Sequence, residues 1–193
     1  MAKIEKNTVD SIIKNGHLLD TLSRERIWEE VKKSYNQSKD FNDYLKYLSD
    51  FNLMQYIFPG ANINTNLVDS KDFVVVVANL FKNESTLGLT DRLAQEYKIE
   101  LETATKVTFL LSLLSFKVED VFDIYKKRQQ CAITDATILE WLKVQGIDTD
   151  TLIKFVEYRP SVSAQELMSQ GFKGKDLGIK IKELEIEKFK QML

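Results

Sequence analysis

Cysteine is almost missing from this sequence. Its one residue, Cys131, excludes an internal disulfide and fits a reducing compartment. Histidine is as scarce. His17 has no second imidazole or thiol with which to share a metal or a triad, so a surface or packing role is expected. Two prolines and seven glycines in 193 residues leave long helices few breakers. Long apolar stretches are lacking too. The longest, Phe73 to Ala78, is far too short to span a bilayer, and no N-terminal signal pattern precedes it, so no membrane partner and a cytoplasmic location are expected. Three chemical signatures are absent as well: a Gly-rich strand-to-helix phosphate loop, a clustered Cys/His metal set and a Ser/His/Asp constellation. No catalytic residue and no metal ligand are therefore assigned to this chain.

What is present is ordinary for a globular protein with a core: 44% hydrophobic and 29% charged residues. The net charge of -2 argues against indiscriminate nucleic-acid binding, and no DNA partner is expected. That total hides an asymmetry. Residues 1–35 carry 7 basic and 6 acidic side chains, residues 36–150 carry 12 and 17, and residues 151–193 carry 8 and 6. A polyanion would meet the ends rather than the middle.

The periodicity is helical nearly throughout. Asn7 or Thr8 caps a first helix with Val9, Ile12 and Ile13 as its stripe, and Gly16 ends it. Ser23 starts a second, with Ile27, Trp28, Val31 and Tyr35 on one face, Glu25 in its first turn and Lys32 and Lys33 in its last. On it, Glu29 can meet Lys33 and Arg26 can meet Glu30. Asp40 caps Phe41 to Asp50. Asn52 restarts a shorter helix that Pro59-Gly60 stops, and the Asn/Thr/Asp-rich segment from Ala61 to Ser70 reads as a loop. Four consecutive valines, Val74 to Val77, favour a strand on propensity. No second strand-like run exists to pair with them, so Ser70 to Phe81 reads as a buried helix capped by Ser70 or Asp72. Helices follow at Thr90–Tyr97, Leu101–Phe116 (apolar nearly all round, Leu113 and Leu114 included), Val118–Gln130, from Thr134 to Gly146, and Thr149–Tyr158. The basic cluster Lys126, Lys127 and Arg128 reads as an RNA contact or a match to a helix C-terminus. The acids Glu119, Asp120 and Asp123, and Asp148 with Asp150, read as caps and first-turn acids rather than metal ligands. The expected fold is all-α: about eleven or twelve helices in an irregular antiparallel array.

The chain ends on its most unusual stretch. Ser163 and Glu166 have capping-box spacing, and a short helix runs to about Gln170. Gly171, Gly174 and Gly178 then alternate with Lys173 and Lys175 before a closing helix. This is either a tight helix–helix corner or a place where a phosphate backbone lands on a helix N-terminus.

Both ends of the chain carry motifs with a family likeness. Ser23-Arg24-Glu25-Arg26-Ile27-Trp28-Glu29-Glu30 resembles the S-x-E-R-I-x-x-E helix of bacterial-type (class II) tRNA nucleotidyltransferases and poly(A) polymerases. Leu48 to Pro59 resembles the L-x-x-x-G-L-L-x-x-I-F-P that follows it, with Asn52 where glycine is usual. Pro160 to Gly171 resembles P-x-I-S-G-x-D-L-x-x-x-G, with Ala164 in place of a glycine. Gly174 to Gly178 resembles G-P-x-I-G, with Lys175 in place of the proline. The family's head, with its Gly-Ser motif and metal-binding Asp-x-Asp pair, has no counterpart here, nor has its Glu-Asp-x-x-Arg neck motif. Glu119-Asp120-Val121-Phe122-Asp123 ends in aspartate where that motif needs arginine.

The resemblance implies a neck remnant and start of body at 1–60, body at 61–158 and tail at 159–193. It implies a tRNA or other structured-RNA partner and a catalytic head, truncated from this chain or carried by a separate polypeptide, to which Mg and CTP or ATP would belong, leaving no cofactor for this chain. It implies RNA contacts at Gly171, Lys173, Gly174, Lys175, Gly178, Lys180 and Lys182, and a neck-bracing set of Arg24, Arg26 and Glu30. The alternative is an all-helical protein-interaction scaffold that kept the fold without the RNA.

Overall fold

The computed structural model describes residues 4–147 and 150–193. Among these the chain forms twelve α-helices and three 3-10 turns, with no strand, so the fold is all-α as expected. It divides into two compact units, Met1–Thr108 and Phe109–Leu193. Asp148 and Thr149, and with them the Asp148/Asp150 pair and the expected start of a helix at Thr149, lie outside the described residues.

The first unit holds α1 (Lys6–Asn15), a 3-10 turn (Gly16–Thr21), α2 (Arg24–Gln37), α3 (Phe41–Asp50), α4 (Met54–Ile57), α5 (Phe73–Leu80), α6 (Leu89–Gln95) and the start of α7 (Leu101–Ser112). Side-chain caps set several of these starts by taking a backbone N–H that the helix itself leaves unpaired. Ser23 accepts from Arg26, Asp40 from Asn42, and Asp72 from both Val74 and Val75. Burial decides the valine run. Val75, Val76 and Val77 are at most 3% exposed. Burying each contributes about 1.5–3 kcal/mol, more than the few tenths lost by placing valine in a helix.

Aromatic rings fill the rest of this core. Trp28 and Tyr35 pack on Phe73, Tyr35 meets Phe41 edge-on, and Phe58, Phe81 and Tyr97 form a trio with centroids 5.1–5.8 Å apart.

The second unit holds 3-10 turns at Leu113–Ser115 and Val118–Asp120, then α8 (Val121–Cys131), α9 (Asp135–Val144), α10 (Asp150–Glu157), α11 (Ala164–Ser169) and α12 (Gly174–Met192). Its core rings are Phe116, Phe155, Phe189, Tyr158 and Tyr125.

Several local expectations need correction. α1 starts at Lys6 behind Glu5, and the Asn7 side chain bonds the Glu5 carboxylate instead of capping. Ile13 on its expected stripe is 44% exposed. Gly16 ends α1 as expected, but it is right-handed and leads directly into a 3-10 turn. Its need for glycine is close approach, since a Cβ there would stand 2.7 Å from Leu53 Cδ2. α2 continues to Gln37, so Lys32 and Lys33 fall short of its last turn; Lys33 reaches Glu30 at 3.8 Å rather than Glu29, and Lys32 binds Glu100. α7 stops at Ser112, the chain tightens, and Leu114 turns outward at 41% exposure. Arg128 is no surface cation: it is buried, donates to the Val156 carbonyl at 2.9 Å and pairs with Asp135.

Two carboxylates tie the first unit by charge. Glu84 is desolvated, which alone would raise its pKa. Hydrogen bonds from Arg92 and from the Asn62 N–H outweigh this and hold it below the usual carboxylate value. Glu100 is likewise desolvated and likewise held low, by Lys32 and the Trp28 indole at 2.8 Å. A carboxyl with a depressed folded-state pKa contributes stability that is present above its unfolded value and is lost as pH falls through the folded one. The melting temperature is therefore expected to hold near neutrality and fall below about pH 4. Glu84→Gln should lower the neutral value and flatten this acid limb; a limb as steep as that of the parent would remove Glu84 from the account.

Candidate nucleic-acid interface

The geometry of the C-terminal corner follows from its backbone hydrogen bonds. Ser163 Oγ accepts from the Glu166 N–H at 3.3 Å and starts α11. At the other end Gly171 takes φ 98°, its N–H bonds the Met168 carbonyl at 3.0 Å, and the Phe172 N–H bonds Leu167 at 3.1 Å. This paired closure is a Schellman motif, and its left-handed residue strongly favours glycine. Lys173 is extended, and α12 opens at Gly174 with φ 53°. Lys175 is the second helical residue, a position in the first turn where proline and lysine both fit, so the lysine that replaces the resembling family's proline leaves the turn intact. Gly178 does not belong to the corner. It lies inside α12, and a Cβ there would meet nothing within 4 Å.

A buried carboxylate positions this corner. Glu185 on α12 is 1% exposed and accepts from Tyr158 Oη at 2.7 Å, the Ser161 N–H at 2.7 Å and the Val162 N–H at 2.6 Å. It thus ties the connection between α10 and α11 to the last helix. Burial, and then the bond to Glu185, push the Tyr158 phenol far above its ordinary pKa. The signal was legible: Ile181, Glu185 and Phe189 recur at four-residue spacing, which places an acid on an otherwise apolar stripe.

The lysines expected to meet RNA separate into two kinds. Lys173 and Lys175 are exposed at the mouth of α12 and form neither an ion pair nor a side-chain hydrogen bond with the other described residues. Lys180 lies 3.3 Å from Glu183 on its own helix. Lys182 reaches across to Asp123 on α8 at 2.6 Å, and that hydrogen bond, with the attraction of the same carboxylate, raises its pKa. Lys190 reaches Glu119 at 3.5 Å. The acids Glu119 and Asp123 are thus ion-pair partners of α12. No group of three or more residues suited to a metal occurs among the described residues.

The N-terminal set lies in the first unit. Arg24 is turned inward, donating to the Tyr56 carbonyl and lying 3.5 Å from Asp20. Arg26 and Glu30 stay exposed and rim a cleft of about 280 Å³ whose walls include Leu22, Ile27, Val31, Leu48 and Ile57. Leu22 and the nearby Leu18 are 37% and 51% exposed. Asn52, standing where the resembling family has glycine, takes φ 55°, the left-handed region that asparagine tolerates best after glycine.

Comparison with known families reaches this same segment. Residues 3–63 match a family model described as "Probable RNA and SrmB- binding site of polymerase A". The match covers about a third of the chain, from the start of α1 through α4 and the turn after it. It makes this segment similar to an RNA-binding element of polymerase A. No curated protein and no solved structure matches the chain. No helix among the described residues is long and apolar enough to cross a membrane.

Removing the Glu185 carboxylate leaves the Tyr158 hydroxyl and two backbone N–H groups without their acceptor. Glu185→Ala is expected to cost about 3–5 kcal/mol, against about 1 kcal/mol for Tyr158→Phe, which removes one bond and leaves the others. Urea denaturation measures both; equal losses would show that the backbone bonds contribute little.

Proposed function

We propose that this chain is an RNA-holding module, corresponding to the body and tail of a tRNA nucleotidyltransferase of the CCA-adding or poly(A)-polymerase kind. The match of residues 3–63 to an RNA-binding segment of polymerase A carries this reading. In this reading residues 1–60 are neck remnant and start of body, 61–158 body and 159–193 tail. Lys173 and Lys175 take phosphates of a structured RNA, tRNA first among them, with the N–H groups at the start of α12 as further donors. Such contacts recognise the shape of an A-form stem and leave its sequence unread. Nucleotidyl transfer would be the work of a catalytic head outside these residues, which would bring its own Mg and CTP or ATP.

A second reading, docking of a protein partner, is favoured by the apolar cleft rimmed by Arg26 and Glu30 and by the exposed Leu18 and Leu22 beside it. The family model's description also names a protein, SrmB. The two readings part on mutation. Lys173→Glu with Lys175→Glu is expected to weaken tRNA binding by roughly tenfold or more and to lower the magnitude of the salt slope by about 1.5, the share of two phosphate contacts. Filter binding against an unstructured RNA of equal length measures both. Absent, equal or salt-insensitive binding of the two RNAs counts against the RNA reading, and protein capture that survives the double change counts for the scaffold.

Gly178→Ala separates packing from docking. An unobstructed mid-helix glycine replaced by alanine should stabilise the chain by about 0.5–1 kcal/mol. A simultaneous fall in tRNA affinity would place RNA backbone against this helix face; unchanged affinity would leave Gly178 outside the docking surface.

A further inference from the structure

We propose that the cleft between the α3–α4 connection and residues 61–65 holds one unpaired nucleotide of the RNA by its base edge and ribose, an inference that rests on the RNA-holding reading above. The cleft measures about 390 Å³, and no charged side chain lines it. Its volume lies in the range of small-ligand sites, about 300–1,000 Å³. Ser49, Asn52, Asn62 and Thr65 line it with side chains that form no hydrogen bond to the other described residues. Gln55 gives its amide N–H to the Asn52 carbonyl at 3.0 Å and keeps its own carbonyl oxygen as an acceptor. The buried Met54 and the half-buried Ile63 add an apolar surface.

This is the chemistry of a base edge rather than of a phosphate. Amides and hydroxyls both donate and accept, as a Watson–Crick edge and a 2′-OH require. A phosphate would call for lysine or arginine, and neither lines the cleft. A protein anchor would call for a deep aromatic or aliphatic pocket, and the rim here is made of small polar groups.

The cleft is also held in shape before any ligand arrives. One wall belongs to a segment with no regular secondary structure, and such a segment is ordinarily mobile. Two buried amides fix it. Asn64 donates from its backbone to the Leu80 carbonyl at 2.7 Å and from its side chain to the Asn79 carbonyl at 3.0 Å, while Asn79 Nδ2 donates to Asn66 at 2.7 Å. The Asn62 N–H is held by Glu84, itself paired with Arg92. The opposite wall is set by Asn52 in its left-handed conformation. Groups ordered in advance lose little freedom on binding.

The test compares a blunt RNA hairpin with the same hairpin bearing a short single-stranded tail, by fluorescence anisotropy with the full chain. Asn52→Gly keeps the left-handed backbone and removes the amide; Asn62→Ala keeps the N–H held by Glu84 and removes its amide. The parent is expected to prefer the tailed RNA by about threefold to tenfold, the worth of one or two neutral hydrogen bonds. The double variant should lose that preference while binding the blunt hairpin with unchanged affinity and salt slope. A parent that binds both RNAs alike, or a double variant that keeps the preference, overturns the nucleotide cleft and leaves the RNA-holding reading standing. Binding of neither RNA overturns both.

Discussion

A carboxylate shut away from water organises the last third of the chain. Glu185 forms no ion pair among the described residues; three hydrogen-bond donors surround it instead, two of them backbone N–H groups of one short connection. Bringing a carboxylate out of water costs several kcal/mol, so the site is stable only when every donor is in place. That condition makes the tie directional. The Ser161 and Val162 N–H groups must point at α12, which fixes where the chain enters Ser163 and therefore where α11 starts. From Ser163 the Schellman turn at Gly171 and the left-handed Gly174 leave little freedom, and Lys173 and Lys175 stand where that sequence of constraints puts them.

The first unit holds one connection in a similar way, by groups without charge. Its longest segment lacking regular structure, between α4 and α5, would be mobile if left to solvent. Asn64 and Asn79 hold it from inside with neutral amides that satisfy carbonyls on both sides. A neutral amide costs less to bury than a carboxylate and does not titrate. Charge enters only at the edge of this network, where Glu84 takes the Asn62 N–H and pairs with Arg92. Acid therefore reaches this network only through Glu84 and spares the amide bonds beneath, while Glu100 titrates apart from it against Lys32 and Trp28.

The sequence was legible where the physics is local. Ser23, Asp40, Thr134 and Ser163 each cap the helix expected of them, because a side-chain oxygen reaching an N–H two or three residues on depends on nothing distant. The lack of any partner strand is what makes the valine run a helix, which is an argument about the whole chain and not about propensity. Long-range contacts hid the rest. Nothing near Lys182 in the sequence announces Asp123, fifty-nine residues earlier. Arg128 looked like part of a basic tip because its partners, Val156 and Asp135, arrive only with the fold. Gly178 looked like part of the corner because glycine spacing does not reveal where a helix begins. Asn79 and Glu185 could have been found, since each is a polar residue set in an apolar stripe, and such a residue must meet a partner if it is buried.

The pairing of lysines bears on how a chain of net charge -2 could hold a polyanion at all. Salt screens exposed charges beyond about a Debye length, some 8–10 Å at ordinary ionic strength, so a phosphate at the surface meets the local arrangement of charge rather than the total. On α12 the acids of α8 and of the turn before it neutralise Lys182 and Lys190, and Glu183 neutralises Lys180. These pairs fasten the helix in place and remove its middle from consideration as a strong anion surface. The positive charge left on α12 is that of Lys188, which bonds only the Ser161 hydroxyl, and of Lys173 and Lys175 at its start, where they precede Asp176 at the positive end of the helix dipole. Paired lysines would have to lose an existing partner before meeting a phosphate, whereas Lys173 and Lys175 have only water to give up. A surface built this way binds through few contacts and so depends on shape for its selectivity, which is consistent with a neutral cleft contributing elsewhere on the chain what two charges cannot.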